Sequence, residues 1–195
     1  MKLSKHALVR NTWSIFMLAF FTVFWAYSAS WGFGWNLFTI ICIVIFGVYE
    51  VWLCVEAIRT IRALRTLPDL PATESDRRIR KHFLIIFGIE IILIMMSSII
   101  LSTNIVGNSN YIIPVIAIIV GVHFLPLSSV FHTRMLFFAG IIMIVVAGAA
   151  IILIIDGKWI HQSIGVCALT AAICVAVMSA SLLHRVKAGL KDTKN

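Results

Sequence analysis

The chain has 195 residues, of which 61% are hydrophobic and 12% charged, with a mean hydropathy of +1.04. Soluble domains average about 45–50% apolar and about 25% charged residues, so a water-soluble globular fold is excluded first. The net charge of +8 would raise nucleic acid in a soluble protein, but here the basic residues flank apolar stretches and no binding motif accompanies them, so no nucleic-acid partner is expected.

A membrane-crossing helix needs about 20 apolar residues. Six segments meet that length, at approximately 12–31, 36–58, 83–102, 111–130, 135–155 and 162–183. Residues 1–195 therefore read as a single all-α integral membrane domain of six transmembrane helices. The run from Trp13 is too long for a cleaved signal and lacks a good A-x-A-like site, so it is read as the first retained span.

The first connection, Trp31 to Asn36, is uncharged. Gly32 and Gly34 permit a tight turn there, and Trp31 and Trp35 suit an interfacial aromatic belt. The second connection runs from Arg59 to His82 and carries seven basic residues. Its helix is expected to continue past Glu56 to Arg65 as an amphipathic extension, with Ile58, Ile61 and Leu64 on the apolar side. Pro68 and Pro71 stop it, and Thr73 to Asp76 offers an N-cap for the third span. The third connection, Ser102 to Asn110, has no charge, the fourth contains Arg134, and the fifth contains Lys158 and Trp159.

Sorting the 16 Lys and Arg residues by side puts 15 on the side of the two termini and leaves Lys158 alone on the other. Basic residues stay in the cytoplasm, so both the N-terminus and the C-terminus are expected to be cytoplasmic. The basic 59–81 loop is expected to meet anionic lipid headgroups.

Small residues mark the last two spans. Ala168, Ala172, Ala176 and Ala180 recur every four residues in the sixth, and Ala139, Gly140, Ala147, Gly148, Ala149 and Ala150 crowd the fifth. Such faces let helices approach closely in lipid, either within the chain or across a homo-oligomer. The four cysteines, Cys42, Cys54, Cys167 and Cys174, lie in apolar spans and read as small buried hydrophobes.

Few ionisable residues lie within the spans. Glu50, Glu90 and His123 are the deep ones, with Glu56 near the boundary. Counting at 1.5 Å per residue places all three about 10–12 Å from the cytoplasmic boundary, on three different helices. A charged side chain facing lipid there costs about 2.5–3.5 kcal/mol or more. Convergence would let His123 and a carboxylate share a proton or pair as ions. Pro126 cannot donate to the Val122 carbonyl, which would leave a polar group beside His123. Gly121 would admit a neighbouring helix, and Tyr49, Ser97 and Ser98 could add hydrogen bonds.

The run Gly121-Val122-His123-Phe124-Leu125-Pro126 resembles the G-x-H-x-x-P element of uncharacterised bacterial multi-pass membrane proteins. The resemblance covers about one span. It implies a bacterial cytoplasmic-membrane protein and carries no activity with it.

The expectation is a small transporter-like or proton/ion-handling protein centred on Glu50, Glu90 and His123, with Gly121, Pro126 and Tyr49 in support. The competing class is a non-catalytic structural or interaction subunit of a membrane complex. A metal-dependent membrane enzyme comes third and requires Glu50, Glu90 and His123 to converge as ligands. No H-E-x-x-H, G-x-S-x-G or G-x-x-x-x-G-K motif occurs, no catalytic residue is assigned and no cofactor is predicted.

Overall fold

The computed structural model describes residues 5–66, 74–102, 109–130 and 133–194. The elements in order are α1 (Lys5–Ser28), a short α2 (Ser30–Phe33), α3 (Leu37–Leu64), α4 (Glu74–Ser102), a 3₁₀ turn (Ser109–Tyr111), α5 (Ile112–Val130), α6 (Arg134–Ile155) and α7 (Ile160–Lys194). No strand occurs among the described residues. Six helices are long and apolar enough to cross a membrane: Leu8–Phe33, Leu37–Leu64, Lys81–Ser102, Ser109–Ser129, Arg134–Ile155 and Ile160–Lys191. They match the six segments read from hydropathy, with the third and sixth helices running well past the apolar stretch at their polar ends.

The core is built from α1, α5, α6 and α7. Its buried cluster joins Trp25 and Ala26 of α1 and Ala29, at the junction with α2, to Ala117 and Phe124 of α5, Met143 and Ala147 of α6, and Ala168, Ala172 and Val175 of α7. Between helices apolar enough to cross a membrane, association depends on close packing, because lipid tails are as apolar as leucine. Small residues make that packing available. A Cβ on Gly140 would stand 2.6 Å from the Gly121 carbonyl oxygen, and one on Gly32 would stand 2.1 Å from the Gly165 nitrogen. The α5–α6 and α2–α7 crossings therefore have no room for a side chain at these points. Most alanines of the last two spans pack in the same way, since Ala139, Ala147, Ala150, Ala168, Ala172 and Ala176 are buried within the chain, whereas Ala149 is exposed and Ala180 half-buried.

Two helices are peripheral. α3 packs on α1 and α7, and α4 packs mainly on α5. Only 17% of the apolar window of α3 and 6% of that of α4 is buried, so most of their apolar surface is left exposed.

Local sequence explains the element ends. Asn36 opens α3 with a capping box: its Oδ1 accepts from the Thr39 amide at 3.0 Å, and Thr39 Oγ1 accepts from the Asn36 amide at 3.1 Å. Gly157 closes α6 with φ of 68°, a backbone conformation that costs glycine nothing. Trp31, Trp35 and Trp159 are all exposed around these turns.

The expected continuation of the second helix past Glu56 is present, and α3 runs to Leu64. Its buried side overlaps the expected one in part: Leu64 is buried and Ile61 half-buried, but Ala57 and Thr60 also face inward while Ile58 is 42% exposed. Leu64 packs with Leu8 and Val186, so the extension is held by the first turns of α1 and the last turns of α7. The same end is tied by charge, because Lys187 of α7 and Arg59 both donate to the Glu56 carboxylate. Pro68, Pro71 and Thr73 lie outside the described residues.

Candidate functional site

His123 and Glu90 meet. His123 Nδ1 lies 3.2 Å from Glu90 Oε2, and both side chains are 7% exposed. The imidazole comes from α5 and the carboxylate from α4, across the contact that holds α4 in the bundle. The ring lies against the Ile86 backbone, one turn before Glu90 on the same helix. Nδ1 itself makes no hydrogen bond of good geometry, so the pair stands at ion-pair distance and not as a locked donor–acceptor couple.

The pair forms part of the wall of a cavity of about 110 Å³. Each helix contributes a stripe with helical spacing. From α1 come Ser14, Leu18, Phe21 and Trp25, from α4 Phe83, Phe87 and Glu90, and from α5 Val120, His123, Phe124 and Leu127. α7 closes the back with Val175 and Met178. Thr133 and Ser181 also line the cavity, and Arg185 donates to Thr133 Oγ1 at 2.9 Å. Glu90 and His123 are the only titratable groups on this wall among the described residues. Phe83 and Phe87 stack with centroids 5.9 Å apart and ring planes within 6°.

Glu50 does not join them. It is buried to 2% exposure on α3, the helix that packs on α1 and α7 and not on the α4–α5 pair. Thr22 of α1 lies against its carboxylate. The Thr22 hydroxyl, however, gives its proton to the Leu18 carbonyl at 3.0 Å, and neither Glu50 oxygen receives a hydrogen bond among the described residues. No three His, Cys, Asp or Glu side chains among the described residues come close enough together to hold a metal ion. The expected three-residue cluster is thus corrected to a pair plus a separate buried carboxylate. Depth along a helix can be counted from sequence, but lateral position around the bundle cannot, and it is the lateral position that separates Glu50.

The supporting residues also divide. Gly121 serves the α5–α6 crossing beside the site, through its contact with Gly140. Tyr49 donates to the Ala176 carbonyl at 3.4 Å and so ties α3 to α7, away from the pair. Ser97 bonds back to its own helix, to the Leu93 carbonyl at 2.7 Å. Pro126 lies inside α5, which stays helical through it. Val122 and Pro126 share an exposed face of α5 while Gly121, His123 and Phe124 are buried, so the carbonyl expected to be free belongs to the outer face of the helix and not to the cavity.

The aromatic walls went unread in sequence. Phe83 and Phe87 stand seven and three residues before Glu90, and so share its face. Phe21 and Trp25 recur at the same spacing on α1. That spacing was the available signal.

No known protein-family model, no curated protein and no solved structure matches the chain.

Proposed function

We propose that the chain is a small multi-pass protein of the bacterial cytoplasmic membrane, with both termini inside, that handles protons at Glu90 and His123 as part of moving a solute. The buried Glu90–His123 pair on a cavity wall is the observation that carries this reading. Ionisable groups inside a membrane are costly and are kept where they pair and serve a path. A carboxylate and an imidazole in contact can pass one proton between them, and each gain or loss of a proton changes the charge that the cavity presents. The distribution of 15 of 16 basic residues supports the orientation. In that orientation the exposed Arg59, Arg62, Arg65, Arg77, Arg78 and Lys81 contact anionic headgroups.

The test is proton movement. Protein reconstituted into liposomes loaded with a pH-sensitive dye, under an imposed pH gradient, should pass protons faster than empty liposomes. Glu90→Gln and His123→Ala should each cut that rate by about tenfold or more, a barrier change of about 1.4 kcal/mol. Equal rates in wild type and both variants, at equal protein load, would overturn the proposal.

A further inference from the structure

We infer that the cavity beside Glu90 takes a lipophilic organic cation in exchange for a proton, with the Glu90 carboxylate as counter-charge and Phe21, Trp25, Phe83, Phe87 and Phe124 as its walls. This deepens the proton-handling reading and rests on it.

Charge points first to a cation. No Lys or Arg lines the cavity among the described residues. Arg185 is not part of the wall and reaches it only by donating to the Thr133 hydroxyl, on the α6 side of the cavity, and Lys187 is paired with Glu56 on the α3 side. Glu50 lies on α3 and is not part of the wall. His123 is therefore the one group on the wall able to neutralise an ionised Glu90, and it does so only while protonated. When the pair gives up its proton, the wall carries an uncompensated negative charge in a site poor in water. An anion is repelled there, and a neutral solute leaves that charge unmet. A cation meets it.

The walls select the kind of cation. A small hydrated ion needs several oxygen ligands. This cavity offers one carboxylate and three hydroxyls, of which Ser14 is bonded to the Arg10 carbonyl and Thr133 accepts from Arg185, and the rest of its wall is rings and aliphatic side chains. Aromatic faces attract cations whose charge is spread or shielded by carbon, and the attraction grows where water is absent. Quaternary ammonium, phosphonium and protonated aromatic amines have that chemistry.

Access fits the same ligand. α1 and α4 both line the cavity, yet α4 is held by α5 and makes no comparable contact with α1. The α1–α4 side therefore opens laterally, where a solute already dissolved in the bilayer can arrive. Occupation follows a balanced exchange: one monocation enters, one proton leaves the Glu90–His123 pair, and the net charge of the site is unchanged.

Binding of labelled trimethylphenylammonium, a cation small enough for the cavity, to the purified full-length protein tests this. The expected result is saturable binding that tightens as pH rises, because a proton competes for Glu90. Each cation bound should release a proton into weakly buffered medium. Unlabelled trimethylphenylammonium should displace the label, whereas neutral tert-butylbenzene of the same shape should not. Glu90→Gln should weaken binding by about tenfold or more, while Glu90→Asp, which keeps the charge, retains most of it. Absence of saturable binding to wild type, equal displacement by the neutral analogue, or unchanged affinity in Glu90→Gln would overturn the inference. Binding without proton release would overturn the exchange. If cation binding fails while proton movement in liposomes still depends on Glu90 and His123, the cation inference falls and the proton reading stands. If proton movement is indifferent to both residues, the proton reading itself falls.

Discussion

Glu50 and Glu90 are two carboxylates in apolar helices, buried to nearly the same extent at 2% and 6% exposure. Their surroundings differ in kind. Glu90 touches an imidazole and faces open volume. Glu50 is packed against α1, where the Thr22 hydroxyl beside it is already committed to its own helix. A buried carboxylate becomes a site when it has a proton-exchanging partner and space for something to arrive. Without those it is a feature of packing, and an expensive one.

Breaking the scaffold that positions the pair should have the largest effect on the molecule. Gly140→Val places methyl groups where the α6 backbone already meets the Gly121 carbonyl, so it should destabilise the protein by about 2–3 kcal/mol and displace α5 with His123. Thermal unfolding in detergent measures the first effect, and loss of the Glu90-dependent proton movement measures the second. Gly148→Val, at a position with open space around it, should change stability by less than about 0.5 kcal/mol.

The comparison sharpens when each acid is removed in turn. Glu50→Leu takes away a buried polar group that receives no hydrogen bond, and should stabilise the fold by about 1–3 kcal/mol while leaving proton movement intact. The same substitution at Glu90 should abolish proton movement whatever it does to stability. A loss of proton movement in Glu50→Leu, with the protein still folded, would remove the distinction drawn between the two.

The smallest effect belongs to the charged end. Lys187→Met removes a partner of Glu56 at a partly exposed tie between α3 and α7, so it should lower stability only slightly, and less at high salt, with no effect at the cavity. Unfolding followed at two ionic strengths distinguishes this from lost packing.

The division between what could be read in sequence and what could not follows the physics of the bilayer. Hydropathy placed all six spans, because the length of a crossing is set by membrane thickness. Counting residues from the span ends put Glu90 and His123 level, and they are in contact. Helix faces were harder to read. In water an apolar stripe marks the buried side, but in lipid both sides are apolar. Val44, Val48 and Val51 of α3 are exposed and Leu53 is buried, with nothing in their hydrophobicity to tell them apart. The better guide was size, since Ala168, Ala172 and Gly140 all lie in helix contacts. The same guide applied to α1 and its junction with α2 would have marked Ala19, Ala26 and Ala29, all buried, as their packing face. It would also have turned Phe21 and Trp25 toward the bundle. Lateral order remained out of reach, and so Glu50 could not be separated from Glu90 by counting.

In the proposed function Glu90 is the carboxylate that takes up and releases a proton. Infrared difference spectra of the reconstituted protein, recorded between alkaline and acid buffer, follow the carboxyl C=O stretch directly. The predicted result is a protonation band that disappears in Glu90→Gln, shifts in His123→Ala and persists in Glu50→Gln. A band that survives Glu90→Gln and is lost in Glu50→Gln would contradict it.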